Sequence, residues 1–167
     1  MRTALCLTLL FLLPSASSAA VVPGPQVEVD RIVVRVAGRI ITQSDIRQAR
    51  TLRLVDDPSS DEACRRGLED RWLMLQEMAR AAPIAAPAGA EVSARRTEWE
   101  RGFGGAAEVG RLLAESGMSE EDLQTWLRDD LRIRAYLRRQ FGMLPEADRA
   151  RATSEWIARL RQRADVR

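Results

Sequence analysis

The stretch Val29-Asp-Arg-Ile-Val-Val-Arg-Val-Ala-Gly-Arg-Ile-Ile-Thr-Gln-Ser-Asp-Ile46 decides how the rest of the chain is read. Ile32, Val34 and Val36 alternate with Arg31 and Arg35, so an extended backbone places the aliphatic side chains on one face and the arginines on the other. Ala37-Gly38 supplies a tight turn into a second short strand at Ile40-Ile41. Thr42-Gln-Ser-Asp45 is a helix start, because the threonine hydroxyl accepts an orphan backbone N–H while Asp45 caps in return. The segment predicts a hairpin that feeds directly into a helix.

Downstream, apolar residues fall at helical spacing. A first helix is expected from Gln43 to about Leu54, stopped by Asp56-Asp57-Pro58. A second begins near Ser59 or Ser60 with Cys64, Leu68, Trp72, Leu75, Met78 and Ala79 as its inner stripe. Pro83 and Pro87 mark a loop, and a third helix follows over Glu91 to Arg101 with Val92, Trp99 and then Phe103 inward. Gly102, Gly104 and Gly105 form a hinge around Phe103. A short fourth helix carries Val109, Leu112 and Leu113 and closes at Gly117. Ser119-Glu-Glu-Asp122 opens a fifth, with acids in its first turn and arginines further along, an order that complements the helix dipole. Leu123, Leu127 and Leu131 line one stripe; Trp126, Ile133, Leu137 and Phe141 line another, which suits the centre of a bundle. A last helix over 146–163 turns Ile157 and Leu160 inward. Trp72, Trp99 and Trp126 are evenly spaced, but their flanking residues do not recur in step, so they mark no repeat.

Upstream, Arg2, the apolar run Ala4 to Leu13, Pro14 and the small residues Ser15 to Ala20 have the layout of a secretory signal peptide over residues 1–20. Cleavage after Ala19 or Ala20 satisfies the small-residue rule. The run is well short of the roughly 20 apolar residues a membrane span needs. Val21 to Gln26 reads as an extended lead-in, and residues 21–167 as one domain. Cys6 leaves with the leader, so Cys64 remains without an internal disulfide partner. It is either a reactive or intermolecular thiol or, as its spacing from Leu68 suggests, a small buried apolar group.

The 26 basic residues, all arginine, nearly cancel 24 acids, so no whole-chain field draws nucleic acid or anionic lipid. An arginine-only choice fits phosphate recognition or a coding bias, and the interleaved acids favour the second. Histidine is absent. That removes the commonest general base and metal ligand, and with them His-dependent triads and imidazole zinc sites. Asp129 and Asp130 are adjacent, about 100° apart on a helix, and read as partners for Arg128, Arg132 or Arg134 rather than as an acid–base dyad. No phosphate-cradling loop follows a strand. No enzyme, cofactor or metal is expected. Apolar surface remains: Trp99, Phe103, Leu113 and Met118 are either core or adaptable groups that grip an unfolded peptide.

Val29 to Ile46 also resembles the opening of the SurA-type periplasmic chaperone and peptidyl-prolyl isomerase family, where a short hairpin leads into a helix through Ile-Thr-x-Ser-Asp. The family usually has Asn-Gly at the turn; this chain has Ala37-Gly38. Gly117 to Leu137 is similar to the family's later helix. Trp156 to Val166 is similar to its final helix, which returns to the N-terminal domain and ends in a strand beside the hairpin. Full members carry a parvulin isomerase module before that helix, but here only a link near Gly142 to Arg151 stands in its place. The resemblance therefore implies the chaperone half alone, with an apolar groove framed by the N-terminal helices and the returning helix. The expected fold is mainly α, a small helical bundle with an N-terminal hairpin and a third strand near Asp165 to Arg167. The expected function is ATP-independent binding of unfolded or partly folded exported polypeptides, including outer-membrane-bound ones, in the periplasm. No isomerase activity, nucleic-acid partner or stable membrane insertion is expected. The alternative is an assembly subunit with one fixed envelope partner.

Overall fold

The computed structural model describes residues 30–81 and 84–164, and it is mainly helical with one two-stranded hairpin. The expected leader, the expected lead-in and the expected third strand near Asp165 all fall outside the described residues. Strand β1 (Ile32–Val36) pairs antiparallel with β2 (Arg39–Thr42), and Ala37 (φ 46°) and Gly38 (φ 87°) make the turn. Two successive residues at positive φ give the twist a two-residue hairpin needs. Val34 and Val36 point inward as expected, but Ile32 stays 50% exposed. A register shift between Ile32 and Val34 breaks the alternation, so Ile32 leaves the common face.

Helix α1 (Gln43–Thr51) starts with the expected reciprocal cap: the Thr42 N–H donates to Asp45 at 2.8 Å, and the Asp45 N–H to the Thr42 hydroxyl at 3.3 Å. It ends three residues before Leu54. Arg53 takes a left-handed conformation (φ 47°), and the Leu54 N–H reaches back to the Ala49 carbonyl at 2.9 Å. Such a left-handed residue ends a helix and satisfies its last carbonyls. In a non-glycine residue it costs roughly 1–2 kcal/mol. Two contacts hold Arg53 there: its guanidinium lies 5.1 Å from the Phe103 ring and donates to the Gly102 carbonyl at 3.4 Å.

Helix α2 (Asp61–Arg80) is capped by the Ser60 hydroxyl and packs on the hairpin and α1. It also meets α5 (Glu120–Phe141) and α6 (Glu146–Arg163). It, rather than α5, is therefore the element with the most neighbours. Its inner stripe is split: Cys64, Leu73 and Met78 are buried, Leu68, Trp72 and Leu75 are half-buried, and Ala79 is exposed. Glu69, buried in the same helix, is paired with Arg65 one turn back. Burial pushes the Cys64 thiol up, in keeping with a packed apolar group.

Gly67 lies mid-helix, where glycine costs roughly 0.5–1 kcal/mol against alanine. A Cβ at that position would stand 2.8 Å from the Val55 Cβ. The bare backbone lets the α1–α2 connection lie against α2. Gly67→Leu is expected to destabilise by about 1–3 kcal/mol, the usual cost of overpacking. Gly67→Ala is expected to bring none of its usual helix gain. Thermal melts followed by circular dichroism test both, and an unchanged Tm for Gly67→Leu contradicts the close approach.

Helix α3 (Gly89–Arg101) begins two residues before Glu91, whose carboxylate accepts the Ala88 N–H at 2.8 Å. Gly104 (φ 86°) and Gly105 (φ 116°) turn the chain into α4 (Ala106–Ser116), and Gly117 (φ 69°) closes α4. The glycine segment is a tight link rather than a free hinge: Phe103 packs on Trp99 with ring centroids 4.8 Å apart.

Three apolar clusters result. The first joins Val36, Ile41, Ile46, Cys64 and Leu73 to Leu160 of α6. The second gathers Leu52, Val92, Trp99, Val109, Leu113, Leu123 and Leu127. The third holds Met78, Ile133 and Tyr136, with Trp156 stacked 5.5 Å from Tyr136. The two stripes of α5 do serve two sides, and α6 returns to pack on α2. Arg161 donates twice to Asp70, at 2.6 Å each, across that contact.

Candidate functional site

Because α2 and α5 touch over only part of their length, two cavities open along their seam. The first, about 410 Å³, lies between β2, α1, α2 and α5; Leu68, Trp72, Leu75, Met118 and Trp126 form its apolar wall. The second, about 550 Å³, lies beside α6, with Met74, Ile133, Leu137 and Ile157 inside and Asp56, Arg66, Arg134 and Arg161 at its rim. Leu54 and Arg71 line both, so they form the waist of one groove. Volumes of this order match ordinary ligand sites.

Trp126 has no place in any of the three apolar clusters. It is half-buried, and its indole faces Arg71, whose guanidinium carbon stands 3.7 Å from the ring centroid. Arg71 Nη2 also donates to the Trp126 carbonyl at 2.7 Å. Across the cavity Arg39 lies over Trp72 at 5.3 Å. Both are cation–π pairs, in which a guanidinium sits on the negative face of an aromatic ring. Burial pulls Arg71 down to about 10, with Asp129 and Asp130 opposing the fall, so it stays charged at neutral pH.

The acids nearby are already engaged. Asp129 pairs with Arg132 at 3.0 Å, and Asp130 with Arg134 at 3.0 Å and Arg95 of α3 at 2.8 Å. Two of the arginines expected for these acids are found, and Arg95 is an addition from another helix. Among the described residues no group of three His, Cys, Asp or Glu stands ready for a metal ion, and no helix is long and apolar enough to cross a membrane.

The residues singled out from sequence are together, but mostly inside. Trp99 and Leu113 are buried in the second cluster, and Phe103 packs against it, because α3 closes on α5 and α4 on α1 there. Met118 packs on the same cluster and also lines the first cavity, and of the four it alone reaches the groove. Trp72 and Trp126, read as core stripe residues, are the aromatics of the cavity. A tryptophan preceded by arginine at 71, and another preceded by Thr125 and followed two residues on by Arg128 on a helix rich in charge, were the available signals.

No family model matches this chain, and no curated protein or solved structure matches it. What the groove does is therefore a question for its own residues.

Proposed function

We propose that this chain is an exported, periplasmic chaperone-like protein that binds unfolded or partly folded polypeptides in the α2–α5 groove, without ATP and without isomerase activity. The likeness of Val29–Ile46 to the SurA-type opening suggested that reading. The observation that carries it is Trp126, a large aromatic outside every core cluster that faces an open cavity beside Trp72 and Met118. Aromatic rings and a flexible thioether on one wall supply adaptable apolar contact, at about 25 cal/mol per Å² buried, with no bond made or broken. The second cavity, about 550 Å³, continues the groove beside α6.

The test is aggregation of a denatured outer-membrane protein after dilution from urea, followed by light scattering. The chain in molar excess is expected to slow it, and proline isomerisation in a model peptide is expected to stay at the background rate. No slowing at any excess rejects the proposal. Recovery of one stoichiometric protein from envelope extracts, instead of many clients, favours an assembly subunit with a fixed partner.

A further inference from the structure

We infer that Arg71 receives a carboxylate: an aspartate or glutamate side chain, flanked by apolar residues, on the segment seated in the groove. This rests on the polypeptide-binding reading above and names the chemistry of its ligand.

The half-buried arginines set the contrast. Arg65 pairs with Glu62 and Glu69, Arg95 with Asp130 and Glu98, Arg96 with Glu100 and Glu120, and Arg132 with Asp129. Arg71 is just as enclosed, and Asp129 and Asp130 attract it only from beyond contact: no described carboxylate pairs with it, and its one hydrogen-bond acceptor among the described residues is the Trp126 carbonyl. A guanidinium carries five N–H donors in a rigid fork. One is used, and the Trp126 ring covers a face of the plane, so the remaining donors lie unclaimed where the two cavities meet. An arginine desolvated in this way, and lowered by burial, gains strongly from a planar anion that accepts two of its hydrogens.

The surroundings favour a carboxylate over a phosphate. Asp45, Asp122 and Asp129 also line the first cavity, and each is hydrogen-bonded within the chain, to Thr42, Ser119 and Arg132 respectively. Set against Arg39 and Arg71, these three carboxylates repel a dianion more strongly than a single charge. Apolar walls lie on both sides of Arg71, with Trp72 and Leu75 in one cavity and Met74 and Ile133 in the other. A segment crossing the waist would place an acid at Arg71 and apolar side chains on either side. A groove open in both directions suits a side chain within a segment better than a chain end.

The test uses short labelled peptides with an amidated C-terminus, apolar flanks and either Glu or Gln at the centre, titrated against the chain by fluorescence anisotropy. The Glu peptide is expected to bind about tenfold tighter or more, as for a charge-assisted hydrogen-bonded pair. Arg71→Gln should erase that preference by weakening the Glu peptide alone, and Arg71→Lys should restore part of it. Equal affinities on the unaltered chain overturn the inference, as does a preference that survives Arg71→Gln. A Gln peptide with a free C-terminus that matches the Glu peptide assigns Arg71 to chain ends and overturns the side-chain assignment. Binding of both central variants alike leaves the polypeptide-binding reading standing, whereas binding of neither removes both. The decisive comparison needs no variant, so a folding defect cannot obscure it.

Discussion

Cutting Leu127 back to alanine is expected to lower the stability of the fold by about 2–5 kcal/mol, the range for a buried leucine that leaves a cavity. Leu127 is 2% exposed and sits in the second cluster, where α5 closes on α3 and on Leu52. Few groups there can move in to fill the space, since Leu123, Val109 and Leu113 are themselves fully packed. Urea unfolding followed by circular dichroism should show a lower midpoint with an unchanged slope, the mark of lost stability without a change in exposed surface. Leu131, one turn further along and half-buried, provides the comparison. Its alanine variant should lose clearly less. A Leu127→Ala chain within about 1 kcal/mol of the parent would contradict the packing described.

Trp126→Ala is expected to show the opposite balance, with binding hit hard and stability touched lightly. Its ring belongs to no cluster, so little core is lost. The same ring lines the cavity and is the platform under Arg71. Truncating a central tryptophan at an interface commonly costs 2 kcal/mol or more, which is about 30-fold in Kd. Affinity for an unfolded client, measured by anisotropy, should fall by roughly that factor. A Kd within about threefold of the parent would remove Trp126 from the site. Trp72→Ala should lose on both counts, because Trp72 packs against the first cluster as well as lining the cavity.

Features set by neighbouring residues were legible in the sequence. Thr42 and Asp45 announce their cap by spacing alone, Gly117 ends α4 where a left-handed residue is needed, and the valines of β1 alternate. Features set by distant partners were not. Nothing local tells Arg53 to turn left-handed; the Phe103 ring that holds it comes from fifty residues on. Ile32 follows the alternation and still lands outside, because a register shift is a property of two strands. Gly67 looks like a poor helix residue until Val55 is seen against it. The site was legible only in part, for the same reason. Apolar spacing distinguishes inward from outward on a single helix. It does not say which inward residues meet a neighbour and which meet a gap, and the gap between α2 and α5 makes Trp126 a wall rather than core.

The return of α6 onto α2 has a bearing on how the molecule comes into being. Leu160 completes a cluster whose other fully buried members lie between Val34 and Leu73, and Arg161 reaches Asp70 ninety-one positions earlier. A ribosome delivers the hairpin and α2 long before the helix that seals them. Until α6 emerges, the inner faces of Val36, Ile41 and Leu73 have no lid, and the growing chain resembles the sticky, half-made polypeptides it is proposed to shelter. Contacts so far apart in sequence slow the final closure, and the proposed export, in an unfolded form, would postpone it to the far side of the membrane.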